Sequence, residues 1–184
     1  MKKKVADSGV KAKSQRLAGR RIAWGVCGGI AAVETVKAIR ELRRHGARVS
    51  PFFTPSVEQF ISEMAVAWAA DESVTSTIGA EVDHLEDFDL VVVAPATLNT
   101  IAKAAVGIAD NAVTLLLAGQ LGRRAPVLFV PTMNLALQKH PAFAEHAERL
   151  ERWGAEFFSS PVEEDRIKMP GPDALAAKVL EMLK

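Results

Sequence analysis

Residues 90–94, Leu-Val-Val-Val-Ala, form an uncharged, largely β-branched run, and no other feature of the chain limits its fold as tightly. A strand with no polar alternate face must be covered on both sides, which is the pattern of a central strand in a parallel sheet. The flanking sequence supplies the covering layers. Residues 21–27 (RIAWGVC) read as a second short buried strand. Gly28 and Gly29 follow, and then a helical pattern over 31–45 in which Val33, Val36, Ile39 and Leu42 recur every three positions until Gly46 ends it. Residues 48–53 (RVSPFF) read as a strand that Pro51 assigns to an edge or a strand end. A second helix is expected to open at Thr54-Pro55-Ser56 and run through Met64, and 73–86 to be loop with short helices. Further helices are expected over 97–106, 111–120, 142–153 and 173–183, and short strands over 127–130 and 155–158. Alternating strands and helices predict an α/β fold, a three-layer doubly wound parallel sheet. Such sheets bind ligands beyond the carboxyl ends of their strands, so function is expected in the loops after Val26, Phe53, Ala94 and Val130.

Charge is distributed unevenly. The first 21 residues carry eight basic side chains and one acid, Asp7, with no apolar run behind them. They do not read as a secretory signal, and residues 1–20 are expected to form a basic, disordered tail ahead of a single domain over 21–184. What remains carries 15 basic and 21 acidic residues, a poor match for nucleic acid. No apolar stretch is long enough to cross a membrane. Cys27 is the only cysteine, so no internal disulfide forms, which fits a cytoplasmic location. The four histidines are scattered and no metal site is expected.

The loops favour a mononucleotide. Adjacent Gly28 and Gly29 let backbone approach a ring or a phosphate ahead of a helix N-terminus. The G-x-G-x-x-G spacing of a dinucleotide fold is absent, and the second strand ends in Thr54-Pro55-Ser56 with no ribose-binding acid. Hydroxyls there suit a terminal phosphate, which argues for FMN over NAD. No P-loop is present. The loop Ala94-Pro95-Ala96-Thr97-Leu98-Asn99-Thr100 offers small residues to make room for a ring and polar groups to bond its edge. Thr97 also reads as a helix N-cap, whereas Asn99 and Thr100 have no such structural role in view. Pro131-Thr132-Met133-Asn134 is a further post-strand loop, and His84 sits among Asp83, Glu86 and Asp87.

These segments resemble the homo-oligomeric flavin-containing cysteine decarboxylases, above all the phosphopantothenoylcysteine decarboxylases. Residues 25–32, GVCGGIAA, are similar to that family's G-V-S/T-G-G-I-A-A, and residues 94–111, APATLNTIAKAAVGIADN, to its A-P-A-T-x-N-T-I-A-K-x-A-x-G-I-A-D-N. Pro131-Thr132-Met133-Asn134 resembles the start of its P-x-M-N-x-x-M-W. The resemblance implies a flavodoxin-like (Rossmann-like) fold and assembly as trimers or multiples of trimers, up to dodecamers, with FMN at a subunit contact. It implies FMN contacts at Gly28, Gly29, Ile30, Thr54, Ser56, Ala94, Ala96, Thr97, Asn99 and Thr100. It implies a catalytic role for His84 and a substrate-binding role for Asn134, with a small molecule as substrate.

The chain also departs from the family. Leu137 and Gln138 stand where the motif ends M-W. The family's flap cysteine, in a pattern like A-C-G-x-x-G-x-G-R-M, has no counterpart in residues 161–170, PVEEDRIKMP. That departure favours a flavin-dependent oxidoreductase, similar to the dihydromethanopterin-reducing flavoproteins. A phosphopantothenoylcysteine decarboxylase with an altered flap is the alternative, and a non-catalytic FMN-binding regulatory subunit the third reading.

Overall fold

The computed structural model describes residues 9–78, 87–160 and 162–184. Its strands are β1 (Arg21–Val26), β2 (Arg48–Phe53), β3 (Leu90–Ala96), β4 (Val127–Pro131), β5 (Met133–Asn134), β6 (Ala155–Phe157), β7 (Val162–Glu163) and β8 (Arg166–Ile167). Five of them form a parallel sheet in the order β2-β1-β3-β4-β6. Every residue of β3 is buried, as its uncharged run requires. The order reverses direction between β1 and β3, so the carboxyl ends of these two strands form the crevice where a ligand site is expected.

Alternation along each strand feeds two cores. Ile22, Trp24 and Val26 of β1, with Leu90 and Val92 of β3, face α1 (Thr35–Arg44), α2 (Glu63–Ala70) and α7 (Pro172–Met182). Ala23, Val91, Val93 and Phe129 face α3 (Leu98–Val106), α4 (Ala112–Gly122) and α6 (Pro141–Arg152). Each fully buried aliphatic contributes about 1.5–3 kcal/mol, against about 0–1 kcal/mol for an exposed ion pair. Burial therefore fixes the sheet, and the surface charges only decorate it. The Trp24 indole completes the centre by donating from Nε1 to the Ala94 carbonyl at 2.8 Å.

Three expectations are corrected. The helix expected over 31–45 is split: Ile30–Glu34 is a 3-10 turn with no side-chain cap, and α1 begins at Thr35. The second helix opens later than expected. Residues 54–56 belong to the turn after β2, where Thr54 N–H bonds the Val26 carbonyl at 3.0 Å. Ser62 instead caps α2, accepting from Ala65 N–H. The expected basic tail is also docked over residues 9–20. Leu17 is 1% exposed and its N–H bonds the His45 carbonyl at 2.8 Å. Lys13 reaches the buried Glu41 carboxylate at 2.6 Å and Asp173 at 2.8 Å. An apolar side chain to bury and a buried acid to neutralise hold this segment on the domain.

Pro51 lies within β2, an edge strand as expected, and Thr75 pairs alongside it, its N–H bonding the Pro51 carbonyl at 2.9 Å. No described helix is long and apolar enough to cross a membrane.

Candidate functional site

The crevice is built from the turn after β1. Gly28 N–H donates to Thr54 Oγ1 at 3.2 Å, tying this turn to the end of β2. A Cβ on Gly28 would stand 2.1 Å from Ser56 Oγ and 2.9 Å from the Ser56 backbone carbon, so only glycine fits. A Cβ on Gly29 would meet nothing within 4 Å. Gly29 thus borders open space, and the following Ile30 is 69% exposed. The Thr54 hydroxyl accepts from Gly28 and keeps its hydrogen for a second partner.

The loop after β3 closes the other side. Ala94 and Ala96 are buried, and Thr97 caps α3 by accepting from Thr100 N–H at 3.4 Å. Thr100 has a structural role that the sequence did not suggest. Its hydroxyl is 1% exposed and accepts from Cys27 Sγ at 3.2 Å and from Thr97 Oγ1 at 3.3 Å. Asn99 is exposed at the same helix start. Burial pushes the Cys27 thiol up, against the lowering effect of its bonds to Thr100 and Thr97. A buried neutral thiol is a poor nucleophile. The distinctive Asp110-Asn111 pair is architectural. Asn111 caps α4 in a reciprocal capping box with Thr114, and Asp110 accepts from Asn111 Nδ2 at 2.9 Å while pairing with Lys103.

Beyond β4, residues 132–134 turn back toward the glycine loop. β5 joins β8, and β8 joins β7, in a small antiparallel sheet. The glycine turn and this sheet together enclose a cleft of about 570 Å³, whose lining includes Gly29, Ile30, Thr132, Asn134, Arg166 and Lys168. Asn134 Oδ1 caps α5 (Leu135–Gln138) by accepting from Leu137 N–H at 2.9 Å. That bond fixes which end of the amide is oxygen and leaves Nδ2 as a donor. Lys168 pairs with Glu163 at 3.1 Å and Glu164 at 3.0 Å. The Glu164 carboxyl is held below its ordinary range by the Lys168 hydrogen bond, and the Lys168 ammonium is raised by the same contact.

The structure therefore brings Gly28, Gly29, Ile30, Thr54, Ser56, Ala94, Ala96, Thr97, Asn99 and Thr100 to one end of the sheet, and sets Asn134 across the cleft. His84 lies outside the described residues. The sequence reading did not single out Arg166 or Lys168 as lining the site. The hairpin that carries them turns on Glu164 and Asp165 at φ 50° and 56°, without the glycine that would have announced it.

An FMN site fits these residues. The open face of Gly29 admits a flat ring or a phosphate, and the Gly28–Ser56 contact leaves no room for a side chain. Residues 27–30 and 97–100 carry no acid, and the hydroxyls of Thr54, Ser56, Thr97 and Thr100 stand beside them, while Glu34, which also lines the cleft, pairs with Lys37 at 3.6 Å.

Comparison with known proteins places these features. A family model described as Flavoprotein matches residues 10–184. The coenzyme A biosynthesis bifunctional protein CoaBC of Thermococcus kodakarensis is 34% identical over 178 residues, covering 93% of this chain and 44% of that protein. The chain spans less than half the length of the curated relatives it matches. The FMN-dependent cysteine decarboxylase SpaF superposes with a TM-score of 0.77 at 24% identity, over 91% of this chain and 99% of the other. The FMN-dependent cysteine decarboxylase TvaF from thioviridamide biosynthesis gives 0.72 at 26% identity, over 89% of this chain and 99% of the other.

Proposed function

The chain belongs to the flavoprotein family, and on that premise we propose that it is an FMN-dependent decarboxylase acting on a cysteinyl carboxylate. The relatives move the reading from the oxidoreductase expected first to the decarboxylase held as its alternative. One observation carries it: the glycine turn and Asn134 line the same cleft.

FMN is the cofactor, held by the turn at Gly28, Gly29 and Ile30, by Thr54 and Ser56, and by the loop at Thr97 and Asn99. Bound there, it supplies two-electron oxidation of a thiol, which makes the adjacent carboxylate a leaving group. The protein's own residues position the substrate. Asn134 Nδ2 donates to the carboxylate, and the cap bond to Leu137 stops the amide from flipping. His84 takes the S–H proton as the thiol is oxidised and gives it back to the enethiolate left when carbon dioxide departs. Over the reaction the cysteinyl end loses carbon dioxide, two electrons and one proton, leaving an enethiol. No thiol stands in residues 162–169, and Cys27 is buried, so the chain presents no thiol to protonate that product, and the enethiol is released. The same reading makes the protein a trimer or a multiple of trimers.

The test is anaerobic mixing of FMN-loaded protein with an N-acylcysteine, followed by the visible flavin spectrum, released carbon dioxide and product mass. Bleaching with one equivalent of carbon dioxide and an enethiol is expected. Bleaching without carbon dioxide would restore the oxidoreductase reading. His84→Asn is expected to keep FMN and to slow bleaching by about 10²-fold.

A further inference from the structure

We propose that Thr132 is a further substrate-contacting residue, its hydroxyl donating to the cysteinyl sulfur and favouring the thiolate that is oxidised; this rests on the decarboxylase reading above. Thr132 lines the cleft together with Gly29, Ile30 and Asn134. It leaves β4 where Pro131 is in register with Ala96 of β3, and its N–H bonds the Ala96 carbonyl at 3.1 Å. The glycine turn is tied to the same loop, Cys27 N–H bonding the Pro95 carbonyl at 3.2 Å. Thr132 is therefore fixed to the wall assigned above to FMN. Asn134, two residues on, is fixed to the other wall by its pairing with Arg166. Met133 between them is 8% exposed and packs into the core under α3 and α4.

The two cleft side chains each keep a donor. Asn134 Oδ1 is taken by its cap bond, which leaves Nδ2. The Thr132 hydroxyl makes no hydrogen bond among the described residues; only its backbone N–H is committed. The hydroxyls of Thr54, Thr97 and Thr100, by contrast, are engaged within their own wall. Two residues of extended chain cover about 6.5–7 Å. A cysteinyl group presents two acceptors, carboxylate and sulfur, and donors this far apart each reach one.

The chemistry decides which end goes where. The sulfur is oxidised, so it lies toward the flavin, on the side of Thr132. The carboxylate is left for Asn134. A hydroxyl that donates to a thiolate stabilises the charged form and lowers the pKa of the thiol, while His84 accepts the proton. The charged groups that share the cleft with Thr132 are Glu34, Arg166 and Lys168. Glu34 pairs with Lys37, and Lys168 with Glu163 and Glu164. Thr132 carries no charge, so replacing it leaves all of these in place.

The experiment follows anaerobic bleaching of FMN-loaded protein by N-acetylcysteine from about pH 6 to about pH 10, across the thiol range. Thr132→Val keeps the shape and loses the donor. Its midpoint for the rise in rate should move up by about one pH unit, with rates below it about 10-fold lower, the scale of one hydrogen bond to a charged group. Above the new midpoint the two rates should converge. Thr132→Ser, which keeps the hydroxyl, should restore the wild-type midpoint. A second readout avoids turnover. With FMN reduced beforehand, so that it accepts no electrons, calorimetry at about pH 9 compares N-acetylcysteine with N-acetylalanine, which has no sulfur. Wild type should prefer the thiol by about 10-fold in Kd, and in Thr132→Val that ratio should fall toward one while N-acetylalanine binds as before. No preference in wild type, rates lowered by one factor at every pH, or an unmoved midpoint in Thr132→Val with FMN content intact would overturn the proposal. A shifted midpoint and a lost preference in a protein that bleaches without releasing carbon dioxide would support Thr132 as the donor to sulfur while removing the decarboxylase reading.

Discussion

The glycine turn, with residues 54–56 and 96–100 behind it, contributes Gly29 and Ile30 to the cleft that β5 and β8 line from the other side, yet the two walls are held by different forces. On the first, polar groups bond to one another: Gly28 to Thr54, Cys27 and Thr97 to Thr100, each within 3.3 Å. It stands on the buried carboxyl ends of β1, β2 and β3. The second consists of two-residue strands, and its charged side chains are mostly exposed. A wall already satisfied internally is built to hold one cofactor shape. The second wall keeps Asn134 Nδ2 as a free donor on the cleft, and there the sequence departs from the decarboxylase pattern.

The sharpest way to break this contrast is at the glycines. Gly28→Ala drives a methyl into Ser56 and should destabilise the fold by about 1–3 kcal/mol, with FMN affinity falling about 10²-fold. Gly29→Ala should leave the melting temperature of the FMN-free protein unchanged and still weaken FMN binding, because its methyl enters the open space. Fluorescence titration and thermal melting together separate the two. Equal behaviour of the two variants would mean that the first wall is not preformed.

On the second wall, Asn134 combines a cap and a donor, and two substitutions separate them. Asn134→Ala should lose about 1 kcal/mol of stability with the cap. Asn134→Asp keeps an oxygen for Leu137 N–H but presents an anion to the substrate carboxylate. It should melt like wild type and turn over about 10²-fold more slowly, the scale of a misplaced reacting group. Normal turnover in Asn134→Asp would remove Asn134 from substrate binding.

The far end of the sheet provides a reference remote from both walls. Desolvation would raise the Asp89 carboxyl, but the Arg21 N–H at 2.8 Å and the Arg20 guanidinium at 2.7 Å outweigh it, and its pKa is lowered on folding. A carboxyl lowered on folding stabilises above its unfolded pKa of about 3.9, and that stabilisation is lost as pH falls through the folded value. Asp89→Asn should therefore lower stability by about 1 kcal/mol at pH 7. The gap to wild type should close below about pH 4, while FMN affinity stays unchanged. The smallest effect is expected from Lys168→Ala, where an exposed ion-pair cluster is removed. Its melting temperature should shift by about a degree or less, and less again in high salt.

Features that depend on neighbours in sequence were legible in advance. The run over 90–94 specified a buried central strand, Pro51 an edge, and Thr97 a cap that the structure contains. Features that depend on distant partners were not. Thr100 looked unoccupied in the first turn of its helix because its partner, Cys27, lies 73 residues away. The small antiparallel sheet has strands too short to show any periodicity, and its turn lacks glycine. The docking of residues 9–20 was hidden because eight basic residues suggested solvation, and Leu17 was the single apolar anchor beneath them.

The edge strand β2 has a consequence for how copies of this chain meet. Open sheet edges recruit further strands, and proteins that avoid fibrous aggregation must blunt them. Here Pro51 has no N–H to offer, and Thr75 already occupies the stretch beside Phe52 and Phe53. At the strand's start, Arg48 holds Glu72 at 2.8 Å across the same margin. The opposite margin, β6, is only three residues long. A growing chain exposes β2 long before the C-terminal helix is made, so these guards act during synthesis as well as after it. Neither margin of the five-stranded sheet thus offers a long run of free backbone on which a second copy could extend a continuous ladder.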